Sequence, residues 1–268
     1  MKYVQLTLLL VLLALVLPGC DSSPYTERRQ LIIIPESQEL AMGKSAAEEI
    51  LATAKLSRDP KQVAAVERVG ARVAAASDSK IMQWEFHVID DDAVPNAFCL
   101  PGGKIFVYSG LFKYMQDDAQ LATVIAHEVG HALARHGAER ATLEIGAQVG
   151  GAILNFVLSD EDPRLAQIAS KVWGFGSSVG VMLPYSRKQE YEADAIGLRL
   201  MAKSGYDLDA ALGFWDNLRR SKQSPKVLAF LSTHPTDEQR IERIQKTINE
   251  IRSSLGRNCP AVGQRLTR

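Results

Sequence analysis

The sequence predicts an α+β domain, mostly helical, with a small and mainly antiparallel β-sheet. Three observations carry this reading. Apolar residues recur at helical spacing over most of the chain. Only three short runs read as strands, and all lie between residues 84 and 108. No internal repeat with a period of about 20–50 residues is visible. The 268 residues are enough to bury one sizeable core. With 31 Lys plus Arg against 31 Asp plus Glu, the formal net charge is zero. That balance excludes a strongly basic nucleic-acid-binding surface and an acidic disordered tail, so no nucleic-acid partner is expected.

Met1-Lys2-Tyr3 supplies one positive charge, and Val4 to Leu17 is an apolar run of 14 residues. A membrane-spanning helix needs about 20, so residues 1–19 read as a secretory signal segment. The run ends in Leu17-Pro18-Gly19-Cys20, which resembles a bacterial lipobox, although Pro18 is unusual there. The resemblance implies cleavage before Cys20 and acylation of that residue, which holds a protein at a membrane surface. Asp21 resembles an inner-membrane retention signal and slightly favours inner over outer membrane. Residues 20–35 are the expected lipidated cysteine and tether, with Leu31-Ile32-Ile33-Ile34 docking on the body.

Residues 36–56 and 59–76 are expected helices, the second with Val63, Val66, Val69 and Val73 at helical spacing. Trp84–Ile89, Ala97–Leu100 and Lys104–Tyr108 are the strands, the last two joined by a hairpin-like Pro101-Gly102-Gly103 turn. Asp117 or Asp118 caps a helix running to about His136. Two Gly- and Ala-rich apolar segments follow, 139–158 and 164–183; their cores are too short to span a bilayer and read as core packing or a lid. Further helices cover 188–203 and 209–220. The last starts at Thr236, where Thr236 and Gln239 have capping-box spacing, and carries Ile241, Ile244, Ile248 and Ile251 as its apolar stripe. The domain therefore runs over 36–255, with 256–268 as a C-terminal tail. In an exported protein Cys99 and Cys259 are open to pairing or to remaining free.

Of five histidines, three fall within ten residues. His127-Glu128-Val129-Gly130-His131 lies inside a predicted helix, where positions four apart face the same way. Both imidazoles can then grip one metal ion. Glu128 is about 100° round the helix, near enough to take a proton from a water on that metal. A catalytic zinc takes a third protein ligand and keeps one position for water. His136 fails as that ligand, because on a straight helix it lies about half a turn from His127. It reads as a helix C-terminal residue or as a partner for a carboxylate. Glu190 and Asp194 share a helix face, and Glu192 points elsewhere. Beside a motif with no other third ligand, Glu190 is preferred to its plain reading as a solvated helix start. Asp194, one turn on, can hold the free N–H of a ligating imidazole.

These motifs resemble the gluzincin metallopeptidases of the CAAX prenyl endopeptidase, HtpX and Oma type, and most closely their compact periplasmic LoiP-like lipoprotein proteases. The resemblance rests on Asn96-Ala97-Phe98, Leu100-Pro101-Gly102-Gly103, the span from His127 to His131, Glu190-Tyr191-Glu192-Ala193-Asp194, Thr233-His234-Pro235 and Arg240-Ile241. It implies a zincin-like domain with one Zn2+ per chain on His127, His131 and Glu190. It further implies Glu128 as the base and Asp194 orienting a ligand. By the same resemblance His234 lies at the active site, either stabilising the tetrahedral intermediate or closing the metal's open position. Asn96, Ala97 and Phe98 either bind substrate as an added strand or form a plain edge. The function expected is a lipid-anchored zinc endopeptidase facing the periplasm, acting on misfolded or membrane-associated envelope proteins. The rivals are a non-proteolytic zinc-containing assembly factor or chaperone, against which an intact Glu128 speaks, and a small-peptide hydrolase.

Overall fold

Two short strands, Cys20–Ser22 (β1) and Arg29–Leu31 (β2), pair antiparallel at the start of a computed structural model that describes residues 20–23, 25–147, 186–221, 224–235 and 238–258. The expected signal segment, Cys259, Thr236, residues 148–158 of the first Gly-rich segment and all of the second lie outside the described residues. The stretch expected as a tether thus contains a β-pair. Ile32 and Ile34 behind it are buried on the body, as the apolar run suggested.

Helix α1 (Glu36–Thr53) follows, then α2 (Pro60–Ala76), whose Asp59 cap accepts from the backbone N–H of Lys61 while Pro60 opens the first turn. Val66, Val69 and Val73 form its buried stripe. The strands are Glu85–Ile89 (β3), Ala97–Leu100 (β4) and Lys104–Tyr108 (β5), in the order β3-β5-β4. The β4–β5 hairpin turns on Gly102 and Gly103, both at positive φ, where a side chain would be strained. The β3–β5 pairing is parallel, so the sheet is mixed where a mainly antiparallel one was expected. The reason is physical. A hairpin has a local turn signal, whereas which flank of β5 accepts β3 is decided by packing between distant segments. One sheet face meets Ala47 of α1 through Phe98, Phe106 and Tyr108; the other carries Val88, Ala97, Ile105 and Val107 into the main core.

A short 3-10 turn (Ser109–Tyr114) leads to α3 (Asp118–Leu133), capped by Asp117, whose side chain accepts from the Gln120 N–H at 2.8 Å. Every residue from Gln120 to His131 is buried. A helix covered on all sides is the centre of a fold, and the other elements pack round it. It stops before the expected His136: Arg135 takes φ +54°, and a new helical stretch, 136–147 (α4), leaves in another direction. Helix α5 (Arg187–Lys203) starts in a capping box between Ser186 and Gln189. Then come α6 (Asp209–Arg220), α7 (Pro225–Thr233) and α8 (Glu238–Asn258). The nine-residue α7 has no counterpart in the sequence reading. No helix of the described residues is long and apolar enough to cross a membrane.

Candidate active site

The two site helices approach unusually closely, and glycine makes that possible. A Cβ on Gly130 would lie 2.7 Å from the backbone oxygen of Ala193, and one on Gly197 would lie 3.0 Å from that of Ala126. The unspecified fourth position of the H-E-x-x-H motif is therefore a contact between backbones. It lets α5 present Glu190 to both imidazoles of α3.

His127, His131, Glu190 and His234 are all buried and converge on one point. His127 Nε2 lies 3.0 Å from His131 Nε2, 3.4 Å from Glu190 Oε2 and 3.3 Å from His234 Nδ1. Glu190 Oε1 lies 3.3 Å from His131 Nε2 and 3.4 Å from His234 Nδ1. Around a zinc ion with bonds of about 2.0–2.1 Å, tetrahedral ligands stand about 3.3 Å apart. The donor set therefore fits zinc. A second observation agrees: among the described residues both Glu190 oxygens are buried and have no aligned hydrogen bond, although Arg240 Nη1 faces Oε2 at 2.6 Å. Arg240 balances the Glu190 charge from one side, and oxygens without aligned donors suit a metal ligand.

The partners of the imidazoles fix which nitrogen looks inward. His127 Nδ1 lies 2.8 Å from Asp194 Oδ1, which turns Nε2 to the centre. Arg240 grips Asp194 with Nε at 2.7 Å and Nη2 at 2.9 Å, and its guanidinium lies 3.9 Å over the Trp215 ring. His131 Nδ1 lies 2.8 Å from His136 Nδ1, and His136 Nε2 lies 3.1 Å from Glu192 Oε2. His136 is thus a partner for a carboxylate, one of its two expected readings. The straight-helix placement on the far face does not hold, because the break at Arg135 brings it back beside His131.

The electrostatics follow from burial against charge. Burial pushes His127 down, but Glu190 and Asp194 outweigh it and hold it at about 9. Burial pushes Glu190 up, yet Arg240, His234 and His127 keep its carboxyl well below the usual range. Glu128 is raised, chiefly by burial, which suits a base working near neutral pH. Its Oε2 is buried without a hydrogen-bond partner among the described residues, and its Oε1 lies 3.5 Å from His234 Nε2.

Strand β4 runs beside this centre, and the backbone N–H of Cys99 pulls the Glu128 carboxyl down. Among the described residues no strand pairs with the outer edge of β4. Ala97 is fully buried, Phe98 stacks on Phe106 with ring centroids 5.0 Å apart, and Asn96 Oδ1 accepts from the Ala97 N–H. The side chains of this segment are engaged within the fold, and its outer backbone edge is unpaired among the described residues. Cys99 is free among the described residues, and burial pushes its thiol up.

Sequence reasoning missed the work of Arg240 and Glu192. Arg240 had a signal: it stands four and eight residues before Ile244 and Ile248, on the buried face, and is itself fully buried. An arginine on an apolar stripe marks a paired internal charge. Glu192 does point away from Glu190, but onto His136. Nothing local reveals that, because the bend at Arg135 is what brings His136 there.

The family model described as peptidase family M48 matches residues 60–248. The mitochondrial metalloendopeptidase OMA1 of Schizosaccharomyces pombe is 37% identical over 201 residues, covering 69% of this chain and 52% of that protein. That of Arabidopsis thaliana is 41% identical over 169 residues, covering 62% and 32%. The beta-barrel assembly-enhancing protease of Escherichia coli (strain K12) is 30% identical over 222 residues, covering 80% and 45%. The chain spans about half the length of these relatives or less. The match reaches from α2 into α8 and so takes in all four convergent donors: the chain belongs to peptidase family M48.

Proposed function

We propose that the protein is a zinc-dependent endopeptidase that hydrolyses peptide bonds of misfolded or membrane-associated proteins of the cell envelope. The observation that carries the reading is Glu128, a buried carboxylate with one oxygen unpartnered among the described residues, beside the three-ligand centre of His127, His131 and Glu190. A structural metal site has no use for such a base. Bound zinc would lower the pKa of a water and polarise a peptide carbonyl. Glu128 takes the proton from the attacking water and delivers it to the leaving amine. Asp194, held by Arg240, keeps the His127 ring in place while this happens. A substrate segment adds to the free edge of β4 at Asn96, Ala97 and Phe98. Backbone hydrogen bonding of that kind tolerates many sequences, as unfolded substrates demand.

His234 is assigned to the same centre, with Nδ1 among the ligand atoms and Nε2 toward Glu128. In this position it fills the fourth ligand place and closes the resting site. On moving away it can meet the developing oxyanion.

The location follows the N-terminal signals. Residues 1–19 are proposed as a cleaved signal and Cys20 as a lipidated anchor holding the enzyme at the membrane, facing the periplasm. The domain proper is 36–255. The names of the relatives, a mitochondrial metalloendopeptidase and a beta-barrel assembly-enhancing protease, support proteins in or near a membrane as substrates. Incubation of the purified chain with unfolded casein tests the activity. Cleavage is expected, lost on chelation and restored by zinc; a chain that ignores casein but cuts short peptides contradicts the endopeptidase reading.

A further inference from the structure

We propose that Arg28, on the N-terminal hairpin, is a positioning residue for the zinc ligand His131, acting through Glu192 and His136. The inference rests on the metal-site reading above and extends it to a segment outside the family match, which begins at residue 60.

The chain of contacts is continuous. His131 Nδ1 faces His136 Nδ1 at 2.8 Å, and the other ring nitrogen of His136 faces Glu192 Oε2 at 3.1 Å. That same oxygen accepts from Arg28 Nε, and Glu192 Oε1 accepts from the Thr26 hydroxyl. The two other guanidinium nitrogens of Arg28 donate to Glu139, Nη1 to Oε1 at 2.8 Å and Nη2 to Oε2 at 2.7 Å. Gln189 Nε2 donates to Glu139 Oε2 at 2.6 Å. Arg28 therefore clamps α4 to α5 at the point where His136 must sit. His136 and Glu192 are buried, so their orientation is set by these partners and not by water.

The direction of the hydrogen bonds gives the clamp a consequence. The ionised Glu192 only accepts, so His136 Nε2 carries the proton and His136 Nδ1 is the acceptor. His131 must then donate from Nδ1 and present the lone pair of Nε2 to the metal. Loss of Arg28 unties Glu192 from Glu139 on α4, so the carboxylate no longer fixes the position and ring angle of His136. The hairpin bearing Arg28 starts at Cys20, so the segment nearest the proposed anchor also orders the metal site.

The test measures zinc affinity, by competition with a chromophoric chelator, on the full-length chain and its variants. Arg28→Ala and His136→Ala are expected to bind zinc about 10- to 100-fold more weakly. His136→Gln, which keeps one acceptor and one donor, is expected to stay close to the parent. Tyr25→Phe removes another bond between hairpin and body, from the Tyr25 hydroxyl to the Ser77 carbonyl. It is expected to leave zinc affinity unchanged. Parent-like affinity in Arg28→Ala, or an equal loss in Tyr25→Phe, overturns the proposal. Melting of the chelated variants reports folding; if Arg28→Ala does not fold, Arg28→Lys serves, with intermediate affinity expected and parent-like affinity overturning the proposal. A parent that binds no zinc, or binds it equally well after Glu190→Gln, overturns the metal-site reading instead.

Discussion

Asp194 Oδ1 lies 2.8 Å from His127 Nδ1, so a carboxylate one helical turn beyond Glu190 sets the ring of a ligand on the facing helix. The same carboxylate is held from behind by Arg240, which also faces Glu190. Replacing Asp194 with Asn keeps the shape but removes the charge and offers an N–H where an acceptor is needed. The expected result is zinc binding weakened by about 10- to 100-fold, measured by chelator competition. Unchanged affinity would mean that His127 is oriented by packing alone.

Gly130 gives a prediction whose sign is diagnostic. On an ordinary exposed helix Gly→Ala stabilises by up to about 1 kcal/mol. Here the added methyl meets the Ala193 backbone oxygen at 2.7 Å, and backbone cannot turn aside. Gly130→Ala is therefore expected to destabilise by about 1–3 kcal/mol in urea titration of the chelated protein, and to weaken zinc binding as α5 is pushed off. A stabilised variant would contradict the close approach.

His234 brings Nδ1 within 3.3 Å of His127 Nε2, inside the ligand set. A catalytic site needs that position for water. On the proposed reading His234→Ala should raise the rate of casein cleavage at saturating zinc, the gain from opening the metal's fourth position outweighing the lost oxyanion contact. A fall in kcat with unchanged zinc content would assign His234 to the transition state alone.

Burial pushes Glu192 up, but hydrogen bonds from His136, Thr26 and Arg28 outweigh it and hold its pKa at about 2, against 4.5 ordinarily. A carboxylate lowered in the folded state stabilises it fully above about pH 4.5, and that contribution disappears as pH falls through about 2. With zinc chelated, Glu192→Gln should melt below the parent at pH 7, and the gap should shrink from about pH 4.5 downward. A gap that is constant or widens in acid would show that the charge of Glu192 is not what stabilises the hairpin.

Much of this was legible in the residues. The H-E-x-x-H spacing, Glu190 and the hairpin at Gly102-Gly103 are local patterns, and each appears where the sequence put it. The parallel partner of β5, the break at Arg135 and the pairing of Glu192 with His136 were not legible. Each depends on segments far apart in sequence meeting in the core, which no local spacing encodes. Arg240 lay between these cases: its position on an isoleucine stripe was visible, but its two carboxylate partners came from α5.

The central claim is that Glu128 is the base of a zinc peptidase, and one comparison tests it most directly. Parent and Glu128→Gln are prepared with equal zinc content, and kcat/KM is measured on unfolded casein. A loss of about 100-fold or more with zinc retained is expected, because the amide cannot take the proton. Equal cleavage by the two proteins at equal zinc would contradict the account.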